Sequence, residues 1–190
     1  MKNRLEIHTL RLIMLCCITI LPLTIAAQTG PQPGDIYKEY SVNLKTGNNW
    51  RVTDPNAGNE GAQDFLPNPV LSIDIEDLEG AVRAEAQMDI WGGHTGTTDK
   101  QFRFNGSSWM DIPNLTTTPE GHEPECYMAE YNAIVDLPLQ HLVEGGNTFE
   151  GTSGPQICYN FNWGQWGWYV MIVRVYYGSE KEHTVATINN

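Results

Sequence analysis

Hydrophobic and polar residues alternate with a period of two along much of the chain. The clearest run is 82–90, where every second residue from Val82 to Ile90 is apolar and the residues between them are polar. Because successive side chains of a β-strand point to opposite faces of its sheet, this pattern predicts a strand with one buried face and one solvated face. The same alternation predicts further strands in 39–44, 70–76, 101–105 and 127–135.

The last long apolar segment, 168–177, is hydrophobic on nearly both sides. Such a segment is typical of a central strand that packs against a second layer. No window of about twelve residues has a helical period, and only 137–142 resembles a helical turn.

Segments rich in Gly and Pro separate these strands. Asn105-Gly106 is a turn signal and predicts a hairpin between two strands. The other breaks are 54–61, 67–69, 92–96, 113–124, 144–147 and 151–155. Many short alternating strands with turns of this kind predict an all-β protein, namely a two-sheet antiparallel β-sandwich or a jelly roll.

The first 27 residues have the pattern of a secretory signal peptide. Three basic residues precede an apolar run from Leu12 to Ile25, and Ile25-Ala26-Ala27 provides small residues for cleavage before Gln28. The run is too short to span a bilayer comfortably, which takes roughly 20 residues. We therefore expect a secreted, periplasmic or cell-surface protein with a signal peptide at 1–27, a flexible lead-in at 28–36, a β-sandwich domain at 37–179 and a C-terminal tail at 180–190.

Composition excludes several functional classes. The chain has 190 residues, 41% of them hydrophobic, and a formal net charge of −12, which becomes −14 when residues 1–27 are removed. The hydrophobic fraction is too high for a disordered segment, and the negative field repels nucleic acid and anionic lipid. Sulfated or uronic-acid glycans stay possible only through a local basic patch.

Two cysteines, Cys126 and Cys158, lie outside the leader. In an oxidising compartment they are predicted to form a disulfide, which would stabilise the fold by about 3–4 kcal/mol in the chain-entropy model. The alternative is a pair of free or metal-binding thiols, but no CxxC motif or Cys/His cluster favours zinc.

Two passages carry a recognisable pattern of turn and aromatic residues. One runs from Asp136-Leu137-Pro138 through a short turn to Gly145-Gly146-Asn147-Thr148-Phe149. The other comprises Trp91 to Gly96, Lys100 to Gly106, and Trp109. Both passages resemble the galactose-binding-like jelly rolls that accompany secreted glycoside hydrolases and other polysaccharide-degrading proteins. The resemblance implies the jelly-roll fold, and for function it implies sugar binding or a purely structural role, because members of the group do either.

Aromatic residues are the strongest functional signal. Trp163, Trp166 and Trp168 lie within six residues, beside Gln165 and two glycines. Indole rings stack on the C–H faces of sugars, and amides bind sugar hydroxyls, so we predict an exposed platform formed by these four residues. The alternative is that the tryptophans belong to the core.

A second group of candidates lies on and after the strand 82–90. Trp91 and Arg103 fall on the polar faces of their strands, and His94 lies in a Gly-rich turn. Together with Trp109 they could line one carbohydrate-binding surface. The alternative is a solvated face with a turn histidine.

Other chemistry is weakly represented. Ser72, Asp74 and Glu76 share one face of a predicted strand, but the spacing of a retaining glycosidase is absent and a solvated face is favoured. The loop 54–60 has oxygen side chains at alternate positions, so a structural calcium ion is possible there. We predict no catalytic residue and no organic cofactor.

The sequence therefore favours a secreted, non-catalytic, lectin-like β-sandwich that binds a polysaccharide or oligosaccharide by aromatic stacking. We expect a monomer that neither binds nucleic acid nor inserts into a membrane. A small jelly-roll lyase or glycoside hydrolase, and a structural cell-surface module without a small ligand, are the alternatives.

Overall fold

A computed structural model describes residues 29–45, 49–115 and 126–181. In these ranges nine β-strands and two short 3₁₀ helices, Glu60–Phe65 and Leu139–His141, occur. The strands are β1 (Ile36–Asn43), β2 (Arg51–Thr53), β3 (Leu71–Ile75), β4 (Ala81–Trp91), β5 (Gln101–Phe104), β6 (Met110–Asp111), β7 (Glu130–Asp136), β8 (Gly145–Thr152) and β9 (Gln165–Tyr177).

The strands form two antiparallel sheets. The first sheet has the order β1-β9-β4-β7, with β2 paired to the beginning of β9, and the second has the order β3-β8-β5-β6. Strands that are distant in sequence are neighbours in both sheets, which is the connectivity of a jelly roll. The predicted all-β sandwich is confirmed.

Alternation explains which residues form the core between the sheets. Ala84, Ala86, Met88 and Ile90 of β4 are buried, as the pattern predicts. Val82 was expected on the same face, but it is 61% exposed. The reason is a register irregularity between Ala81 and Arg83, where β4 pairs with β9, because such a bulge changes the direction of the side chains next to it.

Strand β9 is central, as its two-sided hydrophobicity predicts. It pairs with β1 and β2 along one side and with β4 along the other. Met171, Val173 and Val175 are fully buried in the core between the sheets.

The opposite face of β4 is not the solvated face that the pattern predicts. Glu85 is fully buried there and accepts hydrogen bonds from Arg174 Nη1 at 2.7 Å, from the Tyr176 hydroxyl at 2.6 Å and from the backbone N–H of Gly30 at 3.0 Å. Arg174 also pairs with Glu39. A network of charged side chains on β1, β9 and β4 therefore takes the place of solvent on this part of the sheet.

Local turn signals give the expected structures. Asn105 and Gly106 have φ values of 48° and 67° and connect β5 to β6 in a hairpin. The predicted helical turn in 137–142 is the 3₁₀ helix Leu139–His141.

The predicted disulfide between Cys126 and Cys158 is present, with Cα atoms 5.8 Å apart. The bridge packs against the turn after β4, where a Cβ at Gly96 would lie 2.3 Å from the Cys158 sulfur. It thus ties the segment before β7 to the loop before β9.

Opening this disulfide should lower stability without changing the fold. The double variant Cys126→Ser/Cys158→Ser is expected to unfold with a free energy about 3–4 kcal/mol lower, because the unfolded chain regains the entropy of an open 32-residue loop. Urea denaturation of the variant and of the oxidised protein measures the difference. Identical midpoints would show that the bridge does not constrain the unfolded chain.

The predicted signal peptide at 1–27 and most of the predicted tail at 180–190 lie outside the described residues. Within the ranges that the structure describes, no helix is long and apolar enough to cross a membrane.

Candidate functional site

Trp166 and Trp168 are not the exposed platform that the sequence predicts. Both are fully buried in the core, and Trp166 donates from its indole N–H to the Thr152 carbonyl at 2.9 Å. The cause is that β9 begins at Gln165 and contains an irregularity at Tyr169, where Asp89 pairs with Val170 but Ile90 pairs with Trp168. The extra residue reverses the alternation, so both indole rings point inward.

Gln165 was predicted to bind sugar hydroxyls, and this prediction is also wrong. Its side chain is fully buried, so it cannot reach a ligand. Its amide donates to the Thr53 hydroxyl at 2.8 Å and its Oε1 accepts from Arg51 at 3.3 Å. The buried Gln165 side chain therefore holds the guanidinium of Arg51 on the side that faces the protein.

The most distinctive surface feature is a set of contacting aromatic rings on the outer face of the first sheet. We call it the aromatic cluster. Its members are Trp50, Phe65, Trp91, His94, Phe161, Trp163 and Tyr169. Trp163 is the one residue of the predicted tryptophan platform that joins it, while Trp91 and His94 come from the second predicted group.

Glycine at position 167 makes room for the cluster. A Cβ there would lie 2.5 Å from a ring carbon of Trp50, so this indole packs directly against the backbone of β9. The ring centroid of Trp50 is 5.6 Å from that of Trp91 and 5.2 Å from that of Tyr169. Strands β4 and β9, together with the residue that precedes β2, thus bring three aromatic side chains together.

Arg51 lies at the centre of the aromatic cluster. Its guanidinium carbon is 4.8 Å from the ring centroid of Trp50, 4.9 Å from that of Phe65 and 5.9 Å from that of Trp91. These distances allow cation–π attraction to three rings at once. The rings of His94 and Trp163, with centroids 4.9 Å apart, close the circle between Trp91 and Phe65.

His94 is prepared to accept a hydrogen bond. Its Nδ1 lies 2.9 Å from the Trp163 carbonyl, which can only accept, so Nδ1 carries the proton. Burial lowers the pKa of His94 below its ordinary value. The hydrogen bond to the Trp163 carbonyl acts to raise this pKa, and the positive charge of Arg51 acts to lower it further. The imidazole is therefore neutral at pH 7, and Nε2 is an acceptor of the kind that a sugar hydroxyl needs.

The loop 158–164 carries strain and exposed aromatic side chains. Tyr159, Asn160 and Asn162 all have positive φ values, of 61°, 52° and 53°. Tyr159 is 79% exposed and Phe161 is 44% exposed. Asparagine adopts this left-handed region readily, so the strain, about 1–3 kcal/mol, is expected mainly at Tyr159; strained residues of this kind concentrate at binding sites.

The rest of the second predicted group lies elsewhere. Arg103 is on β5 in the other sheet, where it pairs with Glu150 at 2.8 Å and lies over the ring of Trp109 at 4.3 Å. Its neighbours Phe102 and Phe104 fill the core, so Arg103 faces outward from the second sheet. The expectation that Trp91, His94, Arg103 and Trp109 line one surface is therefore wrong.

The remaining candidates have simpler roles. In the loop 54–60, the Asp54 carboxylate accepts from the Asn56 N–H and the Asn59 side chain caps the following 3₁₀ helix. Across the described ranges, no group of three or more His, Cys, Asp or Glu side chains is placed to hold a metal ion. Ser72, Asp74 and Glu76 are exposed, as expected for a solvated face.

Comparison with known proteins finds similarity among solved structures, but not among family models or curated proteins. No protein-family model matches the chain. No curated protein matches it. Among solved structures, it is similar to a β-porphyranase of glycoside hydrolase family 86 from the human gut bacterium Bacteroides plebeius, with 17% identity and a TM-score of 0.42 over 75% of this chain and 21% of the other. The chain thus spans about a fifth of the length of that enzyme.

Proposed function

We propose that this chain is a secreted, non-catalytic carbohydrate-binding domain and that the aromatic cluster, with Arg51, is its binding surface. The observation that carries the proposal is the ring of five side chains, from Trp50 through Trp91, His94 and Trp163 to Phe65, that surrounds one guanidinium on an outer sheet face.

The chemistry of the cluster suits a sugar ring. Indole and phenyl faces provide apolar contact for the C–H face of a pyranose. His94 offers an acceptor and Arg51 offers donors for the hydroxyl groups at the edge of that ring. Phe161 of the cluster and the neighbouring Tyr159 are exposed to water, where their rings can contact a ligand.

Binding would extend along a polymer rather than enclose one small molecule. The cluster runs from Tyr169 through Trp50, Trp91 and His94 to Phe161, with successive ring centroids about 5–6 Å apart. A row of partly exposed rings without a deep cavity favours a polysaccharide bound at several sugar units. Stacking of this kind gives affinities in the micromolar to millimolar range, about 4–8 kcal/mol.

Affinity electrophoresis against a panel of neutral and acidic polysaccharides tests this proposal. The wild-type protein is expected to be retarded by at least one of them. Trp91→Ala and Phe161→Ala should weaken that retardation by about tenfold or more, since each removes one stacking face at a cost of about 1.4 kcal/mol.

Trp109→Ala is the matched control, because Trp109 is a partly exposed tryptophan beside an arginine on the other sheet. It should leave the retardation unchanged. Retardation that depends on Trp109 alone would place the site on the second sheet, and no retardation by any glycan would remove the binding role. Release of new reducing ends or unsaturated products would contradict the non-catalytic assignment.

A further inference from the structure

The basic residues that the structure describes in this acidic protein fall into three groups. One is Lys100, whose buried ammonium donates to the Thr97 carbonyl and to the Asn114 side chain. Five others form ion pairs with carboxylates of the described residues: Lys38, Arg83, Arg103, Arg174 and Lys181. Arg51 and Lys45 form no ion pair with any carboxylate in the part of the chain that the structure describes. In a chain with a net charge of −12, cations without acidic partners are unexpected.

Both of these cations lie on the aromatic cluster. The Lys45 ammonium is 4.1 Å from the ring centroid of Tyr169, and Arg51 lies over Trp50. Since the rings of Trp50 and Tyr169 touch, the two positive charges flank one continuous aromatic surface. At one end of this surface, the Glu130 carboxylate accepts a hydrogen bond from the Tyr169 hydroxyl at 2.9 Å.

Arg51 also has unused donors. Its Nη1 donates to Gln165 at 3.3 Å, whereas its buried Nε has no acceptor among the described residues. A buried donor without a partner is rare in folded proteins, where an ordered water, an ion or a ligand usually supplies the acceptor. Oxygen atoms of an anion are the strongest acceptors for a guanidinium, which they approach with two parallel hydrogen bonds.

We infer that the aromatic cluster binds an anionic saccharide, whose carboxylate or sulfate group pairs with Arg51, and with Lys45 at a neighbouring sugar unit. This inference rests on the proposed carbohydrate-binding function and gives its ligand a chemical class. The local positive charge also accounts for how a protein of overall negative charge would hold a polyanion: short-range pairing acts within a few ångströms, where long-range repulsion is screened by salt.

Chemically matched glycans test the inference. One pair is a sulfated galactan and the same galactan after desulfation; the other is polygalacturonate and its methyl-esterified form. The wild-type protein should bind the charged member of at least one pair about tenfold more tightly than the neutral member. Which pair shows the preference distinguishes sulfate from carboxylate.

Two variants connect the preference to these residues. Arg51→Gln should reduce the ratio of charged-glycan to neutral-glycan affinity to about twofold or less, even where it also weakens neutral-glycan binding. Lys45→Gln, at an exposed position, should reduce this ratio in part. Lys38→Gln is the matched control, because it makes the same change in net charge at a lysine paired with Asp77. It should leave the preference unchanged.

The outcomes separate the inference from the function on which it rests. Equal binding of charged and neutral members by the wild-type protein, or a preference that Arg51→Gln and Lys45→Gln both retain, would overturn the inference while the carbohydrate-binding function stands. If the wild-type protein binds no member of either pair and no other glycan of the wider panel, both the inference and the proposed carbohydrate-binding function are overturned.

Discussion

Trp168→Ala is expected to lower the free energy of unfolding by about 3–5 kcal/mol. The side chain is fully buried, contacts the Trp166 and Phe149 rings at centroid distances of 5.0 and 5.4 Å, and leaves a large cavity when truncated. Chemical denaturation measures the change. Any fraction of this variant that remains folded should still be retarded by glycan, because the ring does not face water.

Trp109→Ala is the control for this prediction as well. Trp109 is 36% exposed and packs under Arg103, so its loss should cost under about 1 kcal/mol. If Trp168→Ala is as stable as Trp109→Ala but no longer binds glycan, Trp168 is an exposed binding residue, as the sequence predicts, and its assignment to the core is wrong.

Glu85→Ala is expected to lower the free energy of unfolding by about 3–5 kcal/mol. This loss is large for a residue that the alternation pattern places on a polar face. Removing the carboxylate leaves Arg174 with one acidic partner, Glu39, and leaves the Tyr176 hydroxyl without its acceptor. The matched control is Glu76→Ala, at an exposed position, which should change the free energy of unfolding by no more than about 0.5 kcal/mol.

Glu85→Ala should also alter how the free energy of unfolding depends on pH. Burial opposes ionisation of Glu85, but hydrogen bonds from Tyr176, Arg174 and Gly30 outweigh it and lower the pKa of the carboxyl below its ordinary value. Its stabilising contribution is therefore complete above about pH 4.5, the value for an unfolded chain, and is lost as the pH falls through the lower folded value. The difference in stability between wild type and Glu85→Ala should narrow below pH 4.5; a constant difference would contradict this account.

Much of the fold can be predicted from the sequence because local patterns determine it. The alternation in β4, the two-sided hydrophobicity of β9 and the Asn105-Gly106 turn each give the element that they indicate. The disulfide is also predictable, since only two cysteines lie outside the predicted signal peptide at 1–27.

Two errors have a common cause, which is that a bulge changes the phase of alternation. Val82 is exposed and Trp168 is buried because each lies next to an irregularity in the pairing of β4 with β9. A bulge depends on how two strands pair, and no period within one strand reveals it. The burial of Glu85 likewise depends on partners that are 55 and 89 residues away along the chain.

The candidate site is only partly predictable for a similar reason. Trp91, His94 and Trp163 stand out by composition, but Trp50, Arg51 and Phe65 do not. Strand β2 has three residues, too few for a recognisable alternation, and it is the pairing of Arg51 with Gly167 that brings Arg51 onto the outer face of the sheet. A possible signal is the Trp50-Arg51 pair together with Gly167, where a missing side chain leaves space for an aromatic ring.

The central claim, that the aromatic cluster around Arg51 is the surface that meets sugar, is tested most directly by following the indole N–H signals of the six tryptophans in proton–nitrogen correlation spectra during titration with oligosaccharides from the panel. We expect the signals of Trp50, Trp91 and Trp163 to move with a common saturation curve, while those of Trp166, Trp168 and Trp109 stay in place. Movement confined to Trp109, or no movement with any saccharide, would contradict this claim.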